Sequence, residues 1–164
     1  MIATWVRAVV LAASLLGCHR AILQAQRPPH ELRGWAGLGC FVDESWCDVP
    51  HAVVGFGPQL YFSRSWSFAP EFLYARGSWD YDLILLPSLA VNLRSRGAVR
   101  PYAIFGFGLL RHHARNVSGT GWTLQGGLGV KMFVNPKVYV APEIRLGWEP
   151  FLRVGAGVGY VFGK

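Results

Sequence analysis

The chain has 164 residues, one domain's worth, of which 52% are hydrophobic and only 15% charged, against about 25% charged in an average soluble protein. Its 20 glycines and 14% aromatics suit strands that show apolar surface to something other than water. The net charge of +7 does not point to nucleic acid: lysine occurs only at Lys131, Lys137 and Lys164, and the arginines stand singly, many near predicted turns, with no basic run.

Residues 1–25 read as an export signal. Arg7 is the only charge before the apolar run Ala8–Leu16, which is too short to span a bilayer. Cleavage after Ala25 leaves a mature domain of residues 26–164. A lipoprotein-type signal at Leu15-Leu16-Gly17-Cys18 is the competing route. Beyond residue 26 no apolar stretch is long enough for a transmembrane helix, so membrane residence requires a closed barrel. With Cys18 removed, Cys40 and Cys47 remain and flank a short polar connection, a spacing that suits a disulfide in an exported protein. No His or Cys sits at ligand spacing around them, so neither metal nor cofactor is expected.

Period-2 alternation then recurs along the chain, placing alternate residues on opposite faces of strands. A first strand over about 33–42 has the weakest pattern. In 52–63, Ala52, Val54, Phe56, Leu60 and Phe62 oppose Gly55, Gly57, Gln59 and Ser63. In 66–76, Trp66, Phe68, Phe72 and Tyr74 oppose Ser67, Ala69, Glu71 and Ala75. In 81–94, Tyr81, Leu83, Leu85, Leu89, Val91 and Leu93 oppose Asp82, Ser88, Asn92 and Arg94. Residues 101–111 are apolar on both faces. The last three runs, 122–134, 137–149 and 152–162, are the clearest, with Leu128, Val130, Ile144, Leu146, Val154 and Val158 on the apolar face and Lys131, Glu143, Arg145 and Arg153 on the other.

About eight antiparallel strands follow, each near the 9–11 residues that cross a membrane at a tilt. The links near 63–65, 94–99 and 135–136 are short or moderate. Those at 43–51 and 111–121 are longer and polar, giving short periplasmic turns and longer outer loops. A small-Pro-polar-apolar repeat recurs at Gly57-Pro58-Gln59-Leu60, Ala69-Pro70-Glu71-Phe72 and Ala141-Pro142-Glu143-Ile144, and more loosely at Leu86-Pro87-Ser88-Leu89. Proline cannot donate to a ladder, so bulges are expected at these sites.

Side-chain size decides which face is inside. An eight-stranded barrel holds one layer of side chains. Glycines and a few charges fit that space; a full set of Leu, Phe and Trp overfills it. The bulky face therefore points outward, toward lipid, and a soluble barrel binding an apolar ligand is the reverse arrangement. Glu71, Lys131, Glu143, Arg145 and Arg153 then form an ion-pair network in the lumen, since an unpaired buried charge costs several kcal/mol; the competing reading keeps them near the rim in water. A turn at Gly147-Trp148-Glu149 sets Glu143 opposite Arg153 and keeps Arg145 from facing Arg153. Trp66, Tyr74, Tyr81, Trp122, Trp148, Tyr160 and Phe162 cluster toward strand ends, as interfacial girdles do.

The glycine-studded Gly126–Phe133, the Pro142-Glu143-Ile144-Arg145 strand and the final Val154–Phe162 resemble the small outer-membrane β-barrel families, of the OmpA-like and OmpX-like kind, over about residues 30–164. The resemblance implies an all-β, closed, up-and-down transmembrane barrel in the bacterial outer membrane. The partners expected are outer-membrane lipids and lipopolysaccharide, whose phosphates suit scattered arginines. The expected role is non-enzymatic, structural or surface-interacting. Some outer-membrane barrels modify lipids, and His113 with Ser118, in Arg111–Ser118, is the candidate pair for ester hydrolysis. Against it, Ser118 falls in a predicted loop and no nearby carboxylate in sequence orients either His112 or His113.

Overall fold

The computed structural model describes residues 29–41, 49–115, 117–148 and 151–162. The expected export signal, Cys18 and Cys47 lie outside the described residues. Ten strand segments follow in chain order: β1 His30–Phe41, β2 Val49–Tyr61, β3 Trp66–Phe68, β4 Glu71–Arg76, β5 Asp80–Leu86, β6 Ser88–Asn92, β7 Val99–Ala114, β8 Val117–Phe133, β9 Val138–Gly147 and β10 Phe151–Phe162. All pairings are antiparallel, and β1 pairs with both β2 and β10, which closes the sheet. β3 and β4 are two pieces of one barrel strand, as are β5 and β6, so the barrel has eight strands. No described helix is long and apolar enough to cross a membrane; the crossing is made by strands.

Prolines cause the two breaks. The register is the same on either side of each gap: Leu60↔Phe68 and Phe56↔Phe72 on one side, Phe68↔Leu89 and Glu71↔Leu86 on the other. Pro58, Pro70 and Pro87 therefore face one another across three neighbouring strands. None can donate a ladder hydrogen bond, so pairing lapses there without adding a residue. The expected bulges are not formed. Pro142 sits within an unbroken β9, and only its ladder to β8 lapses, between Gly129↔Glu143 and Met132↔Val140. A lipid-facing groove of about 500 Å³ opens on the barrel wall beside it, lined in part by Leu128, Val130, Ile144 and Val154.

Following paired residues once round the barrel starts at Trp122 on β8 and passes through Leu109, Leu85, Phe72, Phe56, Gly34, Val158 and Val140. It returns to β8 at Met132, ten residues further along. Ten residues of rise against eight strand spacings tilts the strands by about 40°.

The two faces separate by chemistry. Leu146, Val158, Leu128, Phe56 and Phe105 are 62%, 59%, 59%, 62% and 53% exposed, while Arg145 and Arg153 are 1% and 0% exposed. A barrel with a greasy wall and charges inside fits lipid, and the soluble-barrel arrangement is excluded by it. The interior is also more apolar and bulkier than glycines and charges alone. Trp35, Val53, Leu73, Ile84, Leu86 and Phe151 pack in one cluster, and Tyr102, Ile104 and Tyr139 in another. Inward glycines make the room. A Cβ on Gly129 would stand 2.5 Å from the Tyr102 ring.

The segment 111–121, expected as a polar loop, is instead a paired hairpin. The β7–β8 ladder runs unbroken to Ala114↔Val117, whereas β9 reaches only Gln125↔Gly147. The hairpin thus projects beyond the barrel at the end opposite the short turns at 62–65 and 134–137, and this is the outer end.

Replacing Gly129 by Val is expected to push Tyr102 out of place and destabilise the barrel by about 1–3 kcal/mol. Gly34 has nothing within 4 Å of its Cβ position, so Gly34→Ala is expected to change little. Urea unfolding of the folded protein in lipid vesicles measures both.

Candidate functional site

The lumen is the most elaborated part of the molecule. Its side chains stand in tiers set by the inward phase of each strand. Near mid-depth, Arg33 of β1, Glu71 of β4, Glu143 and Arg145 of β9, and Arg153 of β10 converge. Arg33 Nη2 donates to Glu143 Oε2 at 2.6 Å, Arg145 Nε to Glu143 Oε1 at 2.7 Å, and Arg145 Nη2 to Glu71 Oε1 at 2.7 Å. Arg153 Nη2 reaches Glu71 Oε2 at 3.4 Å and Glu143 Oε1 at 3.5 Å. The Tyr102 hydroxyl donates to Glu143 Oε2 at 2.6 Å, and the Arg153 guanidinium lies 4.4 Å over the Trp35 ring.

The last hairpin differs from expectation. Arg153 pairs in register with Arg145, and Glu143 with Gly155. The expected Glu143–Arg153 apposition is overturned. The two like charges tolerate each other because both guanidiniums reach Glu143 and also Glu71, which arrives from across the lumen on a strand that hairpin analysis does not contain.

Lys131 belongs to a separate tier toward the periplasm. Its Nζ donates to Glu31 Oε2 at 2.5 Å, Gln59 Oε1 at 2.9 Å and Tyr61 Oη at 2.7 Å. The Tyr139 and Tyr61 hydroxyls donate to the two oxygens of Glu31 at 2.6 and 2.9 Å. The Trp35–Leu73–Ile84–Leu86 cluster packs beside the mid-depth arginines and extends toward the outer end: Leu86 pairs with Glu71 in register, and Trp35 carries the Arg153 guanidinium on its ring. Above it lie two histidine–aspartate contacts, His51 Nε2 to Asp80 Oδ2 at 3.1 Å and His112 Nδ1 to Asp82 Oδ1 at 2.6 Å.

The fully buried ionic groups are Glu31, Glu71, Asp82 and Glu143 against Arg33, Lys131, Arg145 and Arg153. Four acids meet four bases, so these described buried groups balance in charge. That balance is what a low-dielectric bore requires.

Arg33, Glu31, His51, Asp82 and the tyrosines were missed as site residues on sequence. Glu31 and Arg33 share the phase of Trp35, so starting the first strand three residues earlier would have revealed them. The proline repeat also resolves here. The residue after each outward proline, Gln59, Glu71, Ser88 and Glu143, is inward, polar and buried.

His113 and Ser118 face each other across the β7–β8 ladder, on strands rather than in a loop. The His113 ring stacks on Tyr81 at 4.9 Å, and its Nε2 accepts from Arg111 Nε at 3.2 Å. No described carboxylate pairs with His113. His112 points the other way, into the mouth, and is held by Asp82, a carboxylate thirty residues off in sequence. Cys40 is disulfide-bonded. Among the described residues no group of His, Cys, Asp or Glu could hold a metal ion.

No family model and no curated protein matches the sequence. Solved structures do match in shape. Neisserial surface protein A (NspA) aligns with a TM-score of 0.71 at 14% identity, covering 81% of this chain and 97% of that one. The N-terminal β-barrel domain of Pseudomonas aeruginosa OprF aligns at 0.66 and 12%, covering 82% and 98%. The outer membrane enzyme PagL aligns at 0.54 and 9%, covering 79% and 98%. The chain has the fold of the small eight-stranded outer-membrane β-barrels. With its apolar wall, that fold places it in the bacterial outer membrane.

Removing one acid of the mid-depth cluster leaves three guanidiniums around a single carboxylate. Glu143→Gln is expected to cost about 3–5 kcal/mol, read as a lowered urea midpoint of the barrel in vesicles.

Proposed function

We propose that the protein is a non-enzymatic outer-membrane barrel with a structural or surface-interaction role, and that its lumen is closed rather than conducting. The observation that carries this is the bore itself. Ion-paired side chains from β1, β4, β9 and β10 meet near mid-depth, with Arg145 and Arg153 no more than 1% exposed, and an apolar cluster packs against them. Moving an ion through would require breaking several charge-assisted bonds at once. We further infer that Cys40 pairs with Cys47, tying the first outer loop; non-reducing peptide mapping would display that linked fragment. For the lumen, the test is reconstitution into planar bilayers. Purified protein is expected to give no conductance steps at moderate voltage; stable ion-conducting openings would overturn the closed-bore reading.

The second reading is a lipid-modifying barrel enzyme. The direct cross-strand apposition of His113 and Ser118 favours it, as does the likeness in fold to the outer membrane enzyme PagL. Against it stand the stacking of the His113 ring on Tyr81 and the Arg111 N–H occupying its Nε2, which leave that nitrogen unavailable as a base for Ser118. His113→Ala is expected to leave lipid A acylation unchanged when products are compared by mass spectrometry. Loss of a deacylated product in that variant would reverse the order of the two readings.

A further inference from the structure

Every described acid faces the lumen or its mouth. Glu31, Glu71, Asp82 and Glu143 are buried, and Asp80 is bonded to His51. The outer wall therefore carries no described negative charge. At the outer end its ionic groups are Arg76 on β4, Arg111 on β7 and Arg115 at the hairpin tip, all exposed, and none of them pairs with a described acid. They are confined to one side of the barrel. At comparable height on β1, β2 and β9 the described outward residues are Leu38, Pro50, Leu146 and Trp148.

The register brings the arginines round an aromatic floor. Arg76, Tyr81, His113 and Ser118 lie in one row across four neighbouring strands, which puts Arg76 about 10 Å from His113. Tyr81 stacks on His113 and stands 5.9 Å from Tyr74, while Arg115 covers the ring of Trp79 at 4.8 Å. Allowing for the strand tilt, Arg76 and Arg111 stand within roughly 5 Å of Trp122 and Trp148 along the barrel axis. Exposed tryptophans at the rim of the barrel wall mark the headgroup level. Below the arginines the wall is Phe72, Leu85, Leu109 and Phe107, all exposed.

We propose that this face is a binding site for the phosphate-bearing sugar headgroup of an outer-leaflet glycolipid. The chemistry is matched at both levels. Guanidiniums recognise phosphate through paired N–H donors, and none of these three pairs with a described acid. The apolar wall directly beneath takes the acyl chains of the same molecule. A soluble polyanion would meet the arginines but has no use for that wall, so the occupant is a lipid. The site gives the surface-interaction reading above a specific partner and rests on it.

The test uses the purified full-length barrel in nanodiscs or mild detergent, with bis-phosphorylated lipid A as the probe and native mass spectrometry as the readout. Folding of every variant is checked by its heat-modifiable gel mobility. The combined Arg76→Gln, Arg111→Gln and Arg115→Gln variant is expected to bind at least about tenfold more weakly than the native chain. The matching Arg64→Gln, Arg94→Gln and Arg96→Gln variant at the opposite rim should bind as the native chain does. Dephosphorylated lipid A should not distinguish the three proteins. Equal retention by all three proteins, or equal loss from both variants, would overturn the site. Displacement of lipid A by inorganic phosphate or sucrose octasulfate at equal concentration would overturn the lipid assignment in favour of a soluble polyanion. Fatty-acid release during the incubation would overturn the non-enzymatic reading instead, and the affinity ratio among the three proteins would still decide the site.

Discussion

Closure is the constraint on which the rest depends. In hydrocarbon no water satisfies a free backbone N–H or C=O, so a sheet must have no edge. Here β1 bonds to β2 on one side and to β10 on the other, and the shear of ten residues that makes this possible also tilts every strand. The outward prolines test the same rule. Three of them, Pro58, Pro70 and Pro87, stand where an N–H is already missing on the facing strand, so those lost donors are gathered at one place.

Closing eight strands leaves a bore one side-chain layer wide, and what fills it follows from volume and charge together. Inward glycines such as Gly129 admit whole tyrosine rings from the facing strand. Those rings bring hydroxyls that complete the carboxylates: Tyr102 on Glu143, Tyr139 and Tyr61 on Glu31. The ion pairs are therefore not isolated. Glu31, Glu71 and Glu143 each hold a cation and at least one further donor, which is the condition under which buried charge is tolerated. The same filling is why the bore reads as a plug.

A second consequence is segregation by sign. With the described acids used inside, the exposed basic residues of the described strands and turns stand toward the rims. Charge that looks scattered along the sequence becomes a one-sided patch once β4, β5, β7 and β8 are placed edge to edge. Neighbours in that patch, Arg76 and His113 for example, are far apart in sequence and joined only by the ladder.

The sequence by itself determined the fold class, the number of barrel strands and the orientation of both faces. Period-2 alternation is a local property, and the contrast of Leu, Ile and Val against Gly, Arg and Glu in 122–162 leaves one way to place them round a narrow bore. It also singled out Glu71, Lys131, Glu143, Arg145 and Arg153 as inward. What only the tertiary structure decided is who meets whom. The partner of Arg145 across the lumen is Glu71, that of Lys131 is Glu31, and that of His112 is Asp82. Register and shear set those contacts. Both are properties of the whole closed sheet, so no single hairpin contains them, and a shift of two residues in the last hairpin preserves every inward position while changing each neighbour.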